Sequence, residues 1–109
     1  GGKNRMSGAE YCYQNDGGRC VVKVKGEIDI YTAAEFKKQI NAAIEEVTGD
    51  LHIDCSELQY MDSTGLGVLI GALKRMKEQG RNIYLENLRP NVRKLFAITG
   101  LDKIFILEV

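Results

Sequence analysis

The stretch YMDSTGLGVLIGALK, residues 60 to 74, decides how the chain is read. Leu66, Leu69, Ile70 and Leu73, with Met76 beyond, recur at spacings of three and four and form one apolar face of a helix from about Ser63 to Gln79. Gly80 is suited to ending it. Against that reading, each of Gly65, Gly67 and Gly71 lowers helix stability by about 1 kcal/mol relative to alanine. A helix that opens on Asp-Ser-Thr and accepts that cost several times over needs bare backbone at its start. Gly65 and Gly67 are expected to leave the first turn open, with Met61 and Leu66 flanking it as apolar neighbours. Gly71 is expected to face another element closely packed inside the domain.

Two apolar periods alternate around this helix. In CVVKVKGEI, Cys20, Val22, Val24 and Ile28 alternate with Lys23, Lys25 and Glu27, a strand with one wet face. AEYCYQ before it reads as a partner strand, with Asn-Asp-Gly-Gly (15 to 18) as the hairpin turn. Thr32 is placed to cap the next helix, Glu35 to complete a capping box, and Tyr31 with Phe36 to staple it. Phe36, Ile40, Ala43, Ile44 and Val47 form its core stripe, and Gly49 is suited to stopping it. LHIDC is a strand, SELQYMD a loop, and NIYLE a further strand. Pro90 opens a short helix holding Val92, Leu95 and Phe96, Gly100 lies just past its end, and IFILEV supplies a last strand.

The expected fold is therefore α/β: one domain over residues 9 to 109, a mixed β-sheet with helices packed mainly on one face, in the order β-β-α-β-α-β-α-β. Residues 1 to 8, GGKNRMSG, read as a disordered or cloning-derived lead and are set aside. Strands joined by helices should be parallel, so Asp29-Ile30-Tyr31, Tyr60-Met61-Asp62-Ser63 and Asn87-Leu88-Arg89 should emerge at one end of the sheet, where α/β sites usually lie.

Composition narrows the function. The 109 residues contain fifteen basic and fifteen acidic side chains, so no net field selects nucleic acid or an anionic membrane. No apolar run approaches the roughly 20 residues of a membrane span, and no signal peptide is visible. Cys12, Cys20 and Cys55 form neither a C-x-x-C pair nor a metal-type cluster; Cys20 and Cys55 fall on apolar strand positions and read as small core residues of a reducing, cytoplasmic protein. No cofactor or metal is expected.

Catalytic patterns fail on spacing. A nucleophile elbow needs glycine two before the serine, where Met61 stands. His52 precedes the serine on the outer face of a strand and reads as solvated rather than as a general base. Ile70 occupies the place where a dinucleotide fingerprint needs glycine or alanine, and no Lys-Ser/Thr completes a phosphate loop. Asp62, Ser63 and Thr64 have two readings: helix caps, or an exposed serine open to phosphorylation. A phosphate would add about −1.5 to −2 charges. The helix dipole would favour it by about 0.3–1 kcal/mol, while Asp62 would oppose it. The fold should survive, whereas a partner packed on the surface would have to desolvate the new charge, at a cost of about several kcal/mol.

GEIDIYTA (26 to 33), YMDSTGLGVLIGALK, LENL (85 to 88) and LFAITGLDKIF (95 to 105) together resemble the bacterial anti-sigma-factor antagonists, single-domain members of the STAS fold. Through DSTGLGV and LENL the resemblance is nearer the general-stress branch than the sporulation branch. It implies that the unmodified protein binds an anti-sigma factor that is also a serine kinase of GHKL type, which frees a sigma factor. It further implies that phosphorylation of Ser63 ends the binding and that a PP2C-type phosphatase restores it. The resemblance places Asp29, Asp62, Ser63 and Thr64 at positions of the family's motifs, and with Tyr31, Met61, Gly65, Leu66 and Gly67 around the serine they make up the expected partner surface; no direct nucleic-acid or membrane contact and no catalysis is implied. Two other readings stay open: a STAS scaffold of a stressosome or transporter complex, and a small ligand carrier or nucleotide-binding enzyme.

Overall fold

A computed structural model of the chain describes residues 9–16 and 19–108. Five strands form one sheet in the order β1-β2-β3-β4-β5: β1 (Ala9–Asp16), β2 (Arg19–Ile28), β3 (Leu51–Met61), β4 (Ile83–Glu86) and β5 (Ile106–Glu108). β1 runs antiparallel to β2, and every later neighbour pair is parallel. The connecting helices are α1 (Ala33–Glu46), α2 (Ser63–Lys77) and α3 (Pro90–Thr99), with a 3-10 turn at Leu101–Lys103. The mixed sheet and the element order agree with the sequence reading.

One core explains the layering. Cys20, Val22, Val24 and Ile28 of β2, Leu51, Ile53 and Cys55 of β3, and Ile83 and Leu85 of β4 point to the same side. They meet Phe36, Ile40 and Ile44 of α1, Leu66, Leu69 and Met76 of α2, and Val92 and Phe96 of α3. Burying each large apolar side chain contributes about 1.5–3 kcal/mol relative to leaving it in water. Ile70 is only half-buried; Ala72 takes its expected place on the inner face of α2. The other sheet face is polar, with Glu57 paired to Lys23 at 3.0 Å and to Lys25 at 3.7 Å.

Several local expectations are corrected. SELQYMD is strand rather than loop: β3 continues to Met61, which pairs with Ile28. Its register shifts against β2 between Lys23 and Lys25 and again between Gly26 and Glu27, so β3 gains one residue at each step. These bulges break the period-2 signal, since the buried positions after Cys55 are Leu58 and Met61, three apart. Gly26, at φ 99°, adopts the conformation that the second shift requires.

The hairpin is tighter than expected, because pairing runs through Asn15–Cys20 to Asp16–Arg19; Gly17 and Gly18 lie outside the described residues. Helix α1 stops at Glu46 with Val47 extended, ahead of Gly49. Its end is held instead by the guanidinium of Arg81, which donates to the carbonyls of Val47 (2.8 Å), Gly49 (3.2 Å) and Ile44 (3.3 Å). A buried cation at a helix C-terminus makes a glycine stop unnecessary. Gly80 and Gly100, at φ 71° and 77°, do close α2 and α3 as expected.

Candidate functional site

The loops after β2 and β3 meet at the carboxyl end of the sheet, where the N–H of Asp62 donates to the carbonyl of Ile28 at 3.2 Å. Asp62 has extended backbone (φ −112°, ψ −168°) and is the N-cap of α2. Its Oδ1 accepts from the N–H of Thr64 at 2.9 Å and from the Thr64 hydroxyl at 2.5 Å. The Thr64 hydroxyl bond, supported by the backbone N–H groups of Thr64 and Gly65, holds the Asp62 carboxyl below the ordinary aspartate value.

This arrangement settles the division of labour in the triplet. Asp62 caps the helix and Thr64 braces Asp62. Ser63, at the first helical position, is exposed, and among the described residues no hydrogen bond engages its hydroxyl. The hydroxyl stands at the positive end of the α2 dipole, where the N–H of Thr64 donates to Asp62 Oδ1 and those of Gly65 and Leu66 donate to the Asp62 carbonyl.

The preceding loop is built by a reciprocal pair. Asp29 Oδ1 accepts from the N–H groups of Tyr31 (2.9 Å) and Thr32 (3.2 Å). In return, Thr32 Oγ1 accepts from the N–H of Asp29 at 2.9 Å and donates to the Glu27 carbonyl at 2.9 Å. The expected capping box thus forms three residues upstream, between Asp29 and Thr32, and Thr32 makes no side-chain bond into α1. Glu35 accepts from Gln39 instead. Tyr31 does not staple Phe36, because it is 86% exposed; Phe36 stacks with Tyr11 at 6.3 Å. The tight turn pushes Ile30 and Tyr31 outward.

Not every expected residue reaches the surface. Met61 and Leu66 are turned into the core, at 5% and 4% exposure, so they support the serine from below. Gly65 explains itself through Met61: a Cβ there would lie 2.6 Å from Met61 Cγ and 2.8 Å from Ile28 Cγ2. A Cβ at Gly67 or Gly71 would meet nothing within 4 Å, which corrects the close packing expected of Gly71. Both glycines border a groove between α1 and α2, together with Lys37, Asn41 and Thr64. The third loop donates to β3 rather than engaging the serine, through Arg89 Nε to the Ser56 carbonyl at 3.1 Å.

Two residues of the loops expected at this end of the sheet were not among those expected at the partner surface. Ile30 is 64% exposed and Tyr60 46% exposed, and with Tyr31 they give this end of the sheet an apolar rim. Ile30 stands immediately before Tyr31 in the β2–α1 loop, and Tyr60 immediately before Met61 at the end of β3. His52 is not freely solvated: its Nδ1 lies 2.8 Å from Glu86 Oε2 and its ring stacks on Tyr84. Cys20 and Cys55 are buried as expected, and burial pushes the Cys55 thiol up; the Cys12 side chain lies outside the description. No helix among the described residues is long and apolar enough to cross a membrane.

Comparison with known proteins agrees with this architecture. Residues 12–109 match the family model described as STAS domain. The chain belongs to the STAS-domain family. It is 40% identical over 83 residues to an anti-sigma-B factor antagonist of Staphylococcus epidermidis, covering 76% of this chain and 77% of that protein. It is 43% identical over 83 residues to the protein of the same name in Bacillus subtilis (strain 168), covering 76% and 75%. Among solved structures, an anti-sigma factor antagonist from Mycobacterium paratuberculosis superposes with a TM-score of 0.80 at 32% identity, covering 92% of this chain and 85% of that one.

Proposed function

We infer that this chain is an anti-sigma-factor antagonist whose surface around Ser63 binds an anti-sigma factor that is also a GHKL-type serine kinase. The observation that carries the reading is the unengaged hydroxyl of Ser63, held between a capping Asp62 and a bracing Thr64 at a rim of exposed Ile30, Tyr31 and Tyr60. The names of the relatives support the class of partner. In this reading the protein acts in the cytoplasm by binding and not by catalysis.

The switch is electrostatic. Unmodified, the rim and the open backbone at Gly67 accept the kinase, while Asp29 and Thr32 hold Tyr31 forward and Met61, Gly65 and Leu66 form the platform. Phosphorylation of Ser63 places about −1.5 to −2 charges in that contact, which the partner must desolvate. A PP2C-type phosphatase removes the phosphate and restores binding, and the fold stays the same throughout.

The test is intact mass and peptide mapping after incubation with the cognate kinase and Mg-ATP, followed by calorimetry on both forms. Phosphate on Ser63 with lost binding is the expected result. Phosphate elsewhere, or phosphate that leaves the affinity intact, overturns the switch and moves the protein towards a STAS scaffold role.

A further inference from the structure

The outer face of the sheet holds a side-chain group that the Ser63 surface does not use. His52 on β3, Glu86 on β4 and Glu108 on β5 each offer one ligand atom, and these atoms lie within 4.8 Å of one another. Strand register brings them together. Glu86 pairs directly with Glu108, and His52 stands one outward position back, opposite Tyr84. Neighbouring strands are about 4.8 Å apart, so side chains leaving one face in adjacent rows reach a common point.

The site has order as well as proximity. Tyr84 stacks on the imidazole with centroids 4.6 Å apart and planes 13° apart, which fixes the ring. His52 Nδ1 lies 2.8 Å from Glu86 Oε2, and both side chains are only 13% exposed, so water competes weakly there. Glu86 and Glu108, like charges on paired positions, repel each other unless a cation lies between them.

We propose that His52, Glu86 and Glu108 bind a divalent cation of the zinc class. One imidazole nitrogen and two carboxylate oxygens suit that class, with bond lengths of about 2.0–2.2 Å, and leave one tetrahedral position open to solvent. The ion takes the place of the proton between Nδ1 and Oε2, and the metal-bound imidazole is the neutral tautomer that carries its one N–H at Nε2. Two carboxylates balance the two positive charges. The consequence is mechanical: β5 has three residues at the edge of the sheet, and the ion ties it to β4 and β3 through Glu108.

The experiment titrates Zn²⁺ alone into the full chain, read by calorimetry and by thermal melting, with Co²⁺ as a spectroscopic substitute. We expect one ion per chain, a Tm that rises with zinc, and cobalt bands of nitrogen and oxygen ligands. Glu108→Gln and His52→Asn should each weaken binding about tenfold or more. Glu108 is exposed, so its variant keeps the apo fold and separates lost ligation from unfolding. Absence of binding, unchanged affinity in Glu108→Gln, or an intense thiolate-to-cobalt band pointing to the cysteines would each overturn the proposal.

Discussion

The carboxylate of Asp62 accepts both the N–H and the hydroxyl of Thr64, at 2.9 and 2.5 Å, and so leaves Ser63 as the one member of the triplet without a structural task. A cap that used the serine would have made modification compete with folding. Here the two are separated, and substitutions at the three positions should have different consequences.

At Ser63, alanine and aspartate variants should both fold, with stability within about 0.5 kcal/mol of wild type, as expected for an exposed position. In the proposed switch, Ser63→Ala binds the kinase and resists phosphorylation, while Ser63→Asp binds at least about tenfold more weakly. Calorimetry on both variants decides it: an aspartate variant that binds like wild type would remove charge as the mechanism.

Removing the cap should act on stability instead. Asp62→Ala is expected to lower it by about 0.5–2 kcal/mol. The hydrogen bonds from Thr64 depress the folded-state carboxyl relative to its unfolded value of about 3.9. Their contribution is therefore present above that value and lost as pH falls through the lower folded value. Urea midpoints measured from pH 6 downwards should show this loss in wild type and a shallower slope in Asp62→Asn.

The glycines should respond with opposite signs. Gly65→Ala drives a methyl group into Met61 and Ile28 and should cost about 1–3 kcal/mol, moderated by the flexibility of Met61. Gly67→Ala and Gly71→Ala meet open space and should each gain up to about 1 kcal/mol. Urea denaturation measures all three. Weakened kinase binding by the stabilised Gly67→Ala variant would assign that glycine to the partner's approach.

Ile30 and Tyr31 should matter only to the complex. Truncating either to alanine removes an exposed side chain and should leave the melting temperature unchanged. Loss of Tyr31 should weaken kinase binding by about tenfold or more, the behaviour of an aromatic anchor. Equal affinities in the variant and wild type would move the contact away from this rim.

Much of this was readable from residue order alone, and the failures share a cause. Most of the core stripes of α1 and α2, Pro90 at the start of α3 and the Gly100 stop are local patterns that the structure repeats, with Ala72 in place of Ile70 and Val47 beyond the end of α1. The extent of β3 was not readable, because two bulges erase the alternation between Cys55 and Met61. Arg81 capping α1 and Gly65 seating on Met61 depend on contacts between segments remote in sequence or on the fold of a turn, which no local pattern encodes. The free state of Ser63 was likewise invisible: three adjacent residues could each have capped the helix, and only geometry assigns the task to Asp62.

The strand order has a consequence for how the molecule is made. Each strand after the first pairs with the one just before it in the chain, so no inner place in the sheet waits for a later segment. A chain leaving the ribosome can add one strand and one helix at a time to a growing edge, and the surface around Ser63 is complete once α2 has emerged. Synthesis itself then follows the geometry of the sheet from one margin to the other.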